Sequence, residues 1–336
     1  MKGGFFLLQK LHGKNTDSIF LLLYTLLMET NISSEKPESS ETKTAVVAII
    51  GRPSAGKSTF LNTASGEPVS IVSPIPQTTR NAIRGIVNTS LGQLVFIDTP
   101  GYHESEKKLN LKLKTITEEQ LAEAECILYI IDSTRETGSE EELTANLVKA
   151  HSEKTVVAIN KTDEKVSRPQ TIRSFLEKVL PQIPAERIFE ISAKNDTGIN
   201  EVLKALYNLA PVAPKLYPEE FYTDQEVGFR IAEVIRGQAI NRLEQEIPHA
   251  VYVSIADMEM RKDGRELWVR AFLCVERESQ KGIVIGKGAS MIKTIRIESI
   301  KALRRIFDYR IDLDLQVKVD KNWRQKDTVL TRLLDK

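Results

Sequence analysis

From Ala45 onward, short apolar runs rich in β-branched residues alternate with stretches whose apolar positions recur at helical spacing. The runs at 45–50, 93–98, 126–132, 155–160 and 187–191 predict strands; the stretches near 57–65, 110–124, 139–151, 170–179 and 198–209 predict helices. Strands this uniformly apolar suit burial on both faces of a mostly parallel sheet. The expectation is a doubly wound α/β domain over residues 45–210. Pro211, Pro214 and Pro218 then punctuate the chain and predict a linker over 211–224. Beyond it the period changes. A helix near 226–245 precedes strands at 250–260 and 266–276, joined by the turn Lys262-Asp263-Gly264. A second helix over 289–307 and a strictly alternating strand at 310–319 complete a smaller α+β domain at 225–320, in the order α-β-β-α-β. Strict alternation implies a sheet with one solvated face. Residues 321–336 read as a C-terminal tail.

The first 44 residues read differently. Ile19 to Met28 is an apolar run too short to span a bilayer, and residues 29–44 are rich in Ser, Glu and Thr, a disordered composition. The reading preferred here is translation starting at Met28, with the preceding residues an artefact of start assignment; the rival is a weak membrane anchor.

Composition narrows the function. With 47 Lys and Arg against 46 Asp and Glu, a bulk-basic nucleic-acid protein is excluded and any basic footprint must be local. Two cysteines, Cys126 and Cys274, each sit in a strand-like run and are expected as small buried hydrophobes in a reducing compartment. Four histidines with no paired Cys/His spacing argue against a zinc site.

In a doubly wound sheet, ligands bind at the carboxyl ends of the strands. Gly51-Arg52-Pro53-Ser54-Ala55-Gly56-Lys57-Ser58 follows the first strand with the phosphate-loop spacing G-x-x-x-x-G-K-S. Its glycines let backbone N–H groups point at phosphate oxygens, Lys57 can reach the β- and γ-phosphates, and the Ser58 hydroxyl can hold Mg²⁺. Asp98-Thr99-Pro100-Gly101 follows the 93–98 strand; the Asp98 carboxylate can serve the Mg²⁺ shell and Gly101 can sense the γ-phosphate. Asn160-Lys161-Thr162-Asp163 follows the next-but-one strand. Asp163 can accept both N1–H and N2–H of guanine, a donor pair adenine lacks, so this motif selects guanine over adenine. Ser192-Ala193-Lys194 offers backbone N–H to the guanine carbonyl. Together the candidate nucleotide contacts are residues 51–58, Thr59, residues 98–101, Asn160, Lys161, Asp163 and residues 192–194. A phosphate-loop kinase or ATPase is the losing alternative, since neither needs the Asn-Lys-x-Asp motif.

Gln77-Thr78-Thr79-Arg80 supplies a threonine to complete the Mg²⁺ shell, Thr79 being the choice and Thr78 the alternative. Lys57, Thr79 and Gly101 are the candidate catalytic groups, and Ser58, Thr79 and Asp98 the candidate metal set. Tyr102 stands where many small GTPases carry a water-orienting Gln, so intrinsic hydrolysis is expected to be slow.

In the second domain the basic excess is local. Residues 225–336 carry 22 basic and 17 acidic residues, but 281–305 alone carry seven basic and one acidic. Here lies a glycine turn, Gly286-Lys287-Gly288-Ala289, of the kind by which KH domains clamp a single nucleic-acid strand. Lys281, Ile285, Gly286, Lys287, Gly288, Ala289 and Lys293 are the candidate RNA contacts.

Taken together, GRPSAGKST, QTTR, DTPG, NKTD, SAK and the segment ERESQKGIVIGKGASMIKTI resemble the Era family of bacterial GTPases, from about Ala45 to the C-terminus. The resemblance implies a Ras-like GTPase domain joined to a type II KH domain, with GTP/GDP and Mg²⁺ as ligands. It also implies binding near the 3′ end of 16S rRNA, a role in maturing the 30S subunit, and a monomer in the cytoplasm with peripheral contact at the inner membrane. Two departures stand out. The family phosphate loop usually carries Asn, the expected potassium ligand, where this chain has Ser54, which weighs against potassium as a cofactor. The family glycine turn reads G-x-x-G, whereas its fourth position here is Ala289; if that position needs positive φ, Ala costs about 1 kcal/mol or more relative to Gly. Two rival functions remain: a nucleotide-sensing RNA scaffold with incidental hydrolysis, and a related two-domain GTPase acting on tRNA or at a membrane.

Overall fold

The computed structural model describes residues 42–73, 75, 83–99 and 108–334. The expectations placed on the first 41 residues, on Thr78, Thr79, Pro100, Gly101 and Tyr102 therefore lie outside the described residues. The N-terminal domain is a six-stranded sheet: β1 (Lys43–Ile50), β2 (Ile83–Thr89), β3 (Gly92–Asp98), β4 (Cys126–Asp132), β5 (Thr155–Asn160) and β6 (Ile188–Glu190), in the spatial order β2-β3-β1-β4-β5-β6. All neighbours pair in parallel except β2 with β3. Helices α1 (Lys57–Ser65), α2 (Lys108–Glu123), α3 (Ser139–Lys149), α4 (Pro169–Val179) and α5 (Ile199–Leu209) connect the strands. The sheet is buried on both sides, as its unbroken apolar strands require. Val47, Ile49, Leu128 and Ile130 meet α1 and α5 on one face. Ala48, Ile50, Ile127 and Tyr129 meet α2, α3 and α4 on the other.

Strand β2 had no counterpart in the sequence reading. Its segment IRGIVNT holds a glycine and three polar residues, and it becomes a strand because it pairs antiparallel with β3 over Ile83↔Asp98 to Thr89↔Gly92. The linker lies along this edge: Ile86 N–H donates to Tyr222 O (2.9 Å) and Gln93 Nε2 to Tyr217 O (2.8 Å). The linker thereby occupies backbone groups of an edge that would otherwise be open to pairing.

The second domain runs α6 (Val227–Ile240), α7 (Ile247–Ala250), β7 (Tyr252–Arg261), β8 (Glu266–Val275), α8 (Glu278–Ile285), α9 (Ser290–Leu303), β9 (Arg310–Val319) and α10 (Asp327–Leu334). Strand β8 is central, antiparallel to β7 and parallel to β9. One sheet face packs on α6, α8 and α9 through Ile231, Ile235, Val269, Leu273, Val284 and Ile295. Three corrections follow. The first predicted helix ends at Ile240, before the polar turn Asn241 to Glu246. A helix, α8, precedes the glycine turn where the sequence reading assigned none; its single buried residue, Val284, leaves no apolar stripe to detect. The expected C-terminal tail is ordered: Trp323 is fully buried, its indole N–H donates to Ala250 O (2.9 Å), and it packs edge-on against Tyr252 at 4.9 Å. Both cysteines are free and buried, as expected. Among the described residues no helix is long and apolar enough to cross a membrane.

Candidate functional site

The phosphate loop turns from β1 into α1 at the carboxyl edge of the sheet. Two of its glycines are imposed by close approach: a Cβ on Gly51 would lie 2.3 Å from Ile130 O, and one on Gly56 2.2 Å from Asn160 Nδ2. Gly56 also sits at φ 100°, a conformation L side chains rarely adopt. Ser54 takes left-handed backbone (φ 64°) and is exposed, at the rim of the loop. The Lys57 ammonium is buried and donates to Gly51 O (2.9 Å) and Arg52 O (3.1 Å). Burial lowers its pKa to about 8, opposed by the nearby Asp98 and Glu141 charges. A polyphosphate tail arriving here would add its charge to that of Asp98 and Glu141 and favour the ammonium form.

Asp98 ends β3 fully buried. The Ser58 hydroxyl donates to its Oδ2 (2.7 Å), so the two groups assigned to the metal are adjacent. A hard carboxylate oxygen beside a hydroxyl at the end of a phosphate loop fits Mg²⁺. Thr99 is also buried, but its hydroxyl donates to Ile49 O (2.6 Å), so the side chain braces β1 rather than facing a ligand.

Asn160 holds the loops together. Its Nδ2 donates to Ala55 O (2.9 Å) and its Oδ1 accepts from Ala193 N–H (3.0 Å), tying the phosphate loop to the Ser192-Ala193-Lys194 turn. A third strap runs from α1, where Thr63 Oγ1 donates to Ala193 O (2.7 Å). Lys161 is left-handed at φ 66° and pairs with Asp132 at 2.6 Å, which points the chain outward after β5. Asp163 follows with an exposed carboxylate that has no side-chain partner among the described residues, as a group reserved for a ligand requires. Lys194 is exposed beside it in sequence order with Ser192 and Ala193, both buried.

Sequence reasoning missed three groups. Asp132 ends β4, and its place after an apolar strand was the available signal. Ser70 donates to the same Asp98 oxygen as Ser58 (2.7 Å) and carries no motif. Beneath the phosphate loop, Arg52 bonds Glu141 (3.2 Å) while the Tyr129 hydroxyl donates to the other carboxylate oxygen; all three are buried. Burial pushes the Glu141 carboxyl up from its ordinary value, and Tyr129 and Arg52 oppose that shift. An acid on the apolar face of α3 was the signal here.

In the second domain, α8 ends at Gly286, whose N–H donates to Gly282 O (3.0 Å). Gly286, Gly288 and Ala289 all have positive φ, at 75°, 58° and 60°. A Cβ on Gly286 would lie 2.8 Å from Met291 Cβ, so only glycine fits there. Lys287, Gly288, Ala289 and Lys293 are exposed, while Lys281 and Ile285 are half-buried. Ile283 on α8, three residues before the turn, and Ile297, two turns along α9, are exposed apolar residues the sequence reading did not single out.

Comparison with known proteins agrees with both halves. Residues 46–161 match the family of 50S ribosome-binding GTPases, and residues 246–324 match the KH domain. The GTPase Era of Treponema denticola is 61% identical over 288 residues, covering 86% of this chain and 98% of that protein. The GTPase Era of Borreliella afzelii is 42% identical, covering 87% of this chain and all of its own. The crystal structure of Aquifex aeolicus Era bound to GDP and aluminium fluoride superposes with a TM-score of 0.81 at 32% identity, over 87% of this chain and 99% of that one. A structure of Era with MgGDPNP and nucleotides 1506–1542 of 16S ribosomal RNA gives 0.82 at 31%, over 87% and 98%.

Proposed function

The chain belongs to the Era family of GTPases, and we propose from that premise that it couples a GTP-hydrolysing switch to recognition of the 3′ region of 16S rRNA during 30S subunit maturation. The observation that carries the nucleotide half is the Asn160 staple, which holds the phosphate loop and the 192–194 turn in one frame, with Asp163 exposed three residues on. In this reading the 51–58 backbone and Lys57 cradle the β- and γ-phosphates, and Asp163 with the backbone of Ala193 reads guanine. Ser58 and Asp98 would hold Mg²⁺, which supplies positive charge against the phosphate oxygens. Thr79 and Gly101 complete the triphosphate-sensing loops and Lys57 stabilises the charge that develops on the leaving phosphate. With Tyr102 in place of a water-orienting Gln, turnover of the isolated protein is slow. Ser54 leaves potassium without the family's amide ligand.

The RNA half rests on the 286–289 turn, where positive φ at Gly286, Gly288 and Ala289 curls the backbone beside the exposed Lys287 and Lys293. The exposed Ile283 offers a base an apolar contact beside the turn. The protein acts as a monomer in the cytoplasm with peripheral contact at the inner membrane, which co-flotation with anionic vesicles checks. The central test is binding of a fragment spanning the 3′ end of 16S rRNA by GTP-loaded and GDP-loaded protein. Tighter binding in the GTP state supports a switch. Equal binding in both states leaves only a scaffold, and no binding in either removes the RNA half of this reading.

A further inference from the structure

We infer that the junction between the two domains contains a binding site for a hydrogen-phosphate group, centred on Arg230 and separate from the nucleotide loops. The site is a cavity of about 280 Å³ bounded by the segment Pro68–Val72 on one side and by α6 with the end of α9 on the other. That volume is just below the range of ordinary small-molecule pockets and suits a compact ligand.

Arg230 is 7% exposed, yet its guanidinium is only partly satisfied. Nη1 donates to the Tyr222 hydroxyl, and the group lies 4.6 Å over the Tyr222 ring and 5.7 Å from the Phe307 ring centroid. Its Nε and Nη2 are buried without a hydrogen-bond partner among the described residues. Those two N–H groups form one edge of the guanidinium fork, the edge that grips two oxygens of an oxyanion at once. A buried charge with unmet donors is costly unless something else pairs with it. Among the described residues the one acid in the wall, Glu233, is committed to Arg236 by two bonds of 2.7 and 2.6 Å. Arg305 adds a second positive group to the wall.

Gln225 decides between anions. Its Nε2 donates to Val69 O (3.0 Å), which leaves the Oε1 buried with no donor among the described residues, on a residue of the same cavity wall. A ligand that accepts from Arg230 and donates to Gln225 needs both charged oxygens and an O–H. Hydrogen phosphate and a phosphomonoester monoanion have both; a carboxylate and sulfate lack the proton.

The position gives such a site a consequence. Ser70 lies in the cavity wall and donates to Asp98, so the wall is one hydrogen bond from the metal-side carboxylate. Across the cavity, α6 approaches so closely that a Cβ on Gly237 would lie 3.2 Å from Ile71 Cγ2. An anion held by α6 and by this wall braces the two domains against each other.

The test uses the full chain saturated with Mg²⁺ and a non-hydrolysable GTP analogue, so that the γ-phosphate position is filled and inorganic phosphate cannot enter the nucleotide loops. Thermal unfolding and calorimetric titration are run with inorganic phosphate and with glycerol phosphate, against potassium chloride at matched ionic strength. The expected result is a rise in Tm of a few degrees with phosphate that chloride does not give, by the linkage of binding to folding. Arg230→Met abolishes the effect, and Arg230→Lys, which keeps the charge but loses the fork, weakens binding about tenfold or more. The lysine variant serves if the methionine variant does not fold. A response to phosphate alone identifies the free ion as ligand; a response to both identifies a small phosphorylated metabolite. No response to either, or one that survives unchanged in the folded Arg230 variants, overturns the assignment.

Discussion

Replacing Ala289 by Gly isolates one backbone term. Ala289 sits at φ 60°, ψ 24°, immediately before α9, and its methyl is exposed. No packing is lost on removing it, so the change is read in backbone conformation alone. Holding a non-glycine residue in the left-handed region costs about 1–2 kcal/mol. Glycine gives back about 0.4–1 kcal/mol through the greater freedom of the unfolded chain. The net expectation is a gain of about 0.5–1 kcal/mol for the second domain, subtracting the second from the first. The chain contains two tryptophans, Trp268 and Trp323, both in that domain, so intrinsic fluorescence reports its unfolding selectively. With a urea slope of about 2 kcal/mol per molar, the midpoint rises by about 0.3–0.5 M. A midpoint that stays or falls shows that the turn is not strained at position 289. The same variant also removes a methyl from the surface a nucleotide backbone must approach, so affinity for the rRNA fragment rises; equal affinities dismiss that obstruction.

Asp163→Asn removes the acceptor pair for guanine and offers a donor instead, so GTP affinity falls by at least about a hundredfold while xanthosine triphosphate binding improves; unchanged base preference in a competition assay refutes the role. Asn160→Ala cuts the staple at both Ala55 and Ala193, leaving two buried backbone groups unmet, and costs about 1–3 kcal/mol of stability together with at least tenfold in nucleotide affinity, read by denaturation and fluorescent-GDP titration. Because burial holds the free Lys57 ammonium at a pKa of about 8 and the phosphates raise it, the free protein loses that proton as pH climbs through 8 and must regain it on binding. GDP affinity therefore declines between about pH 7.5 and 9, with proton uptake measured by calorimetry in buffers of different ionisation heat; the absence of uptake there contradicts the shift. Ser54→Asn, at an exposed rim position, restores the amide the family offers to potassium, so replacing sodium by potassium speeds hydrolysis in this variant more than in the parent; equal responses refute that role.

The nucleotide loops were legible in the sequence because their chemistry is local. A phosphate loop is a backbone curl set by glycines a few residues apart, and a guanine reader is one carboxylate at the end of a buried strand; both follow from residue type and spacing. The same holds for β4 and β5, whose predicted and observed limits coincide, since a strand buried on both faces is apolar from end to end. Elements that depend on a distant partner were not legible. IRGIVNT becomes β2 only because β3 offers it an edge, and α8, with Val284 alone buried, draws its helical state from the sheet above it. Trp323 looks like part of a polar tail until Ala250 and Tyr252 are brought to it by the fold.

The amino-acid order by itself determined the alternation of strands and helices, the phosphate loop, the guanine-reading motif and the glycine turn, because each is encoded by residues that are neighbours in the chain. Only the tertiary structure decided that Asn160 ties two loops together, that Ser70 and Ser58 share one oxygen of Asp98, and that Arg230 lines a cavity with two of its three guanidinium nitrogens unpaired among the described residues. Those groups are separated by tens to more than a hundred positions, and their pairing arises from packing surfaces that no local pattern records.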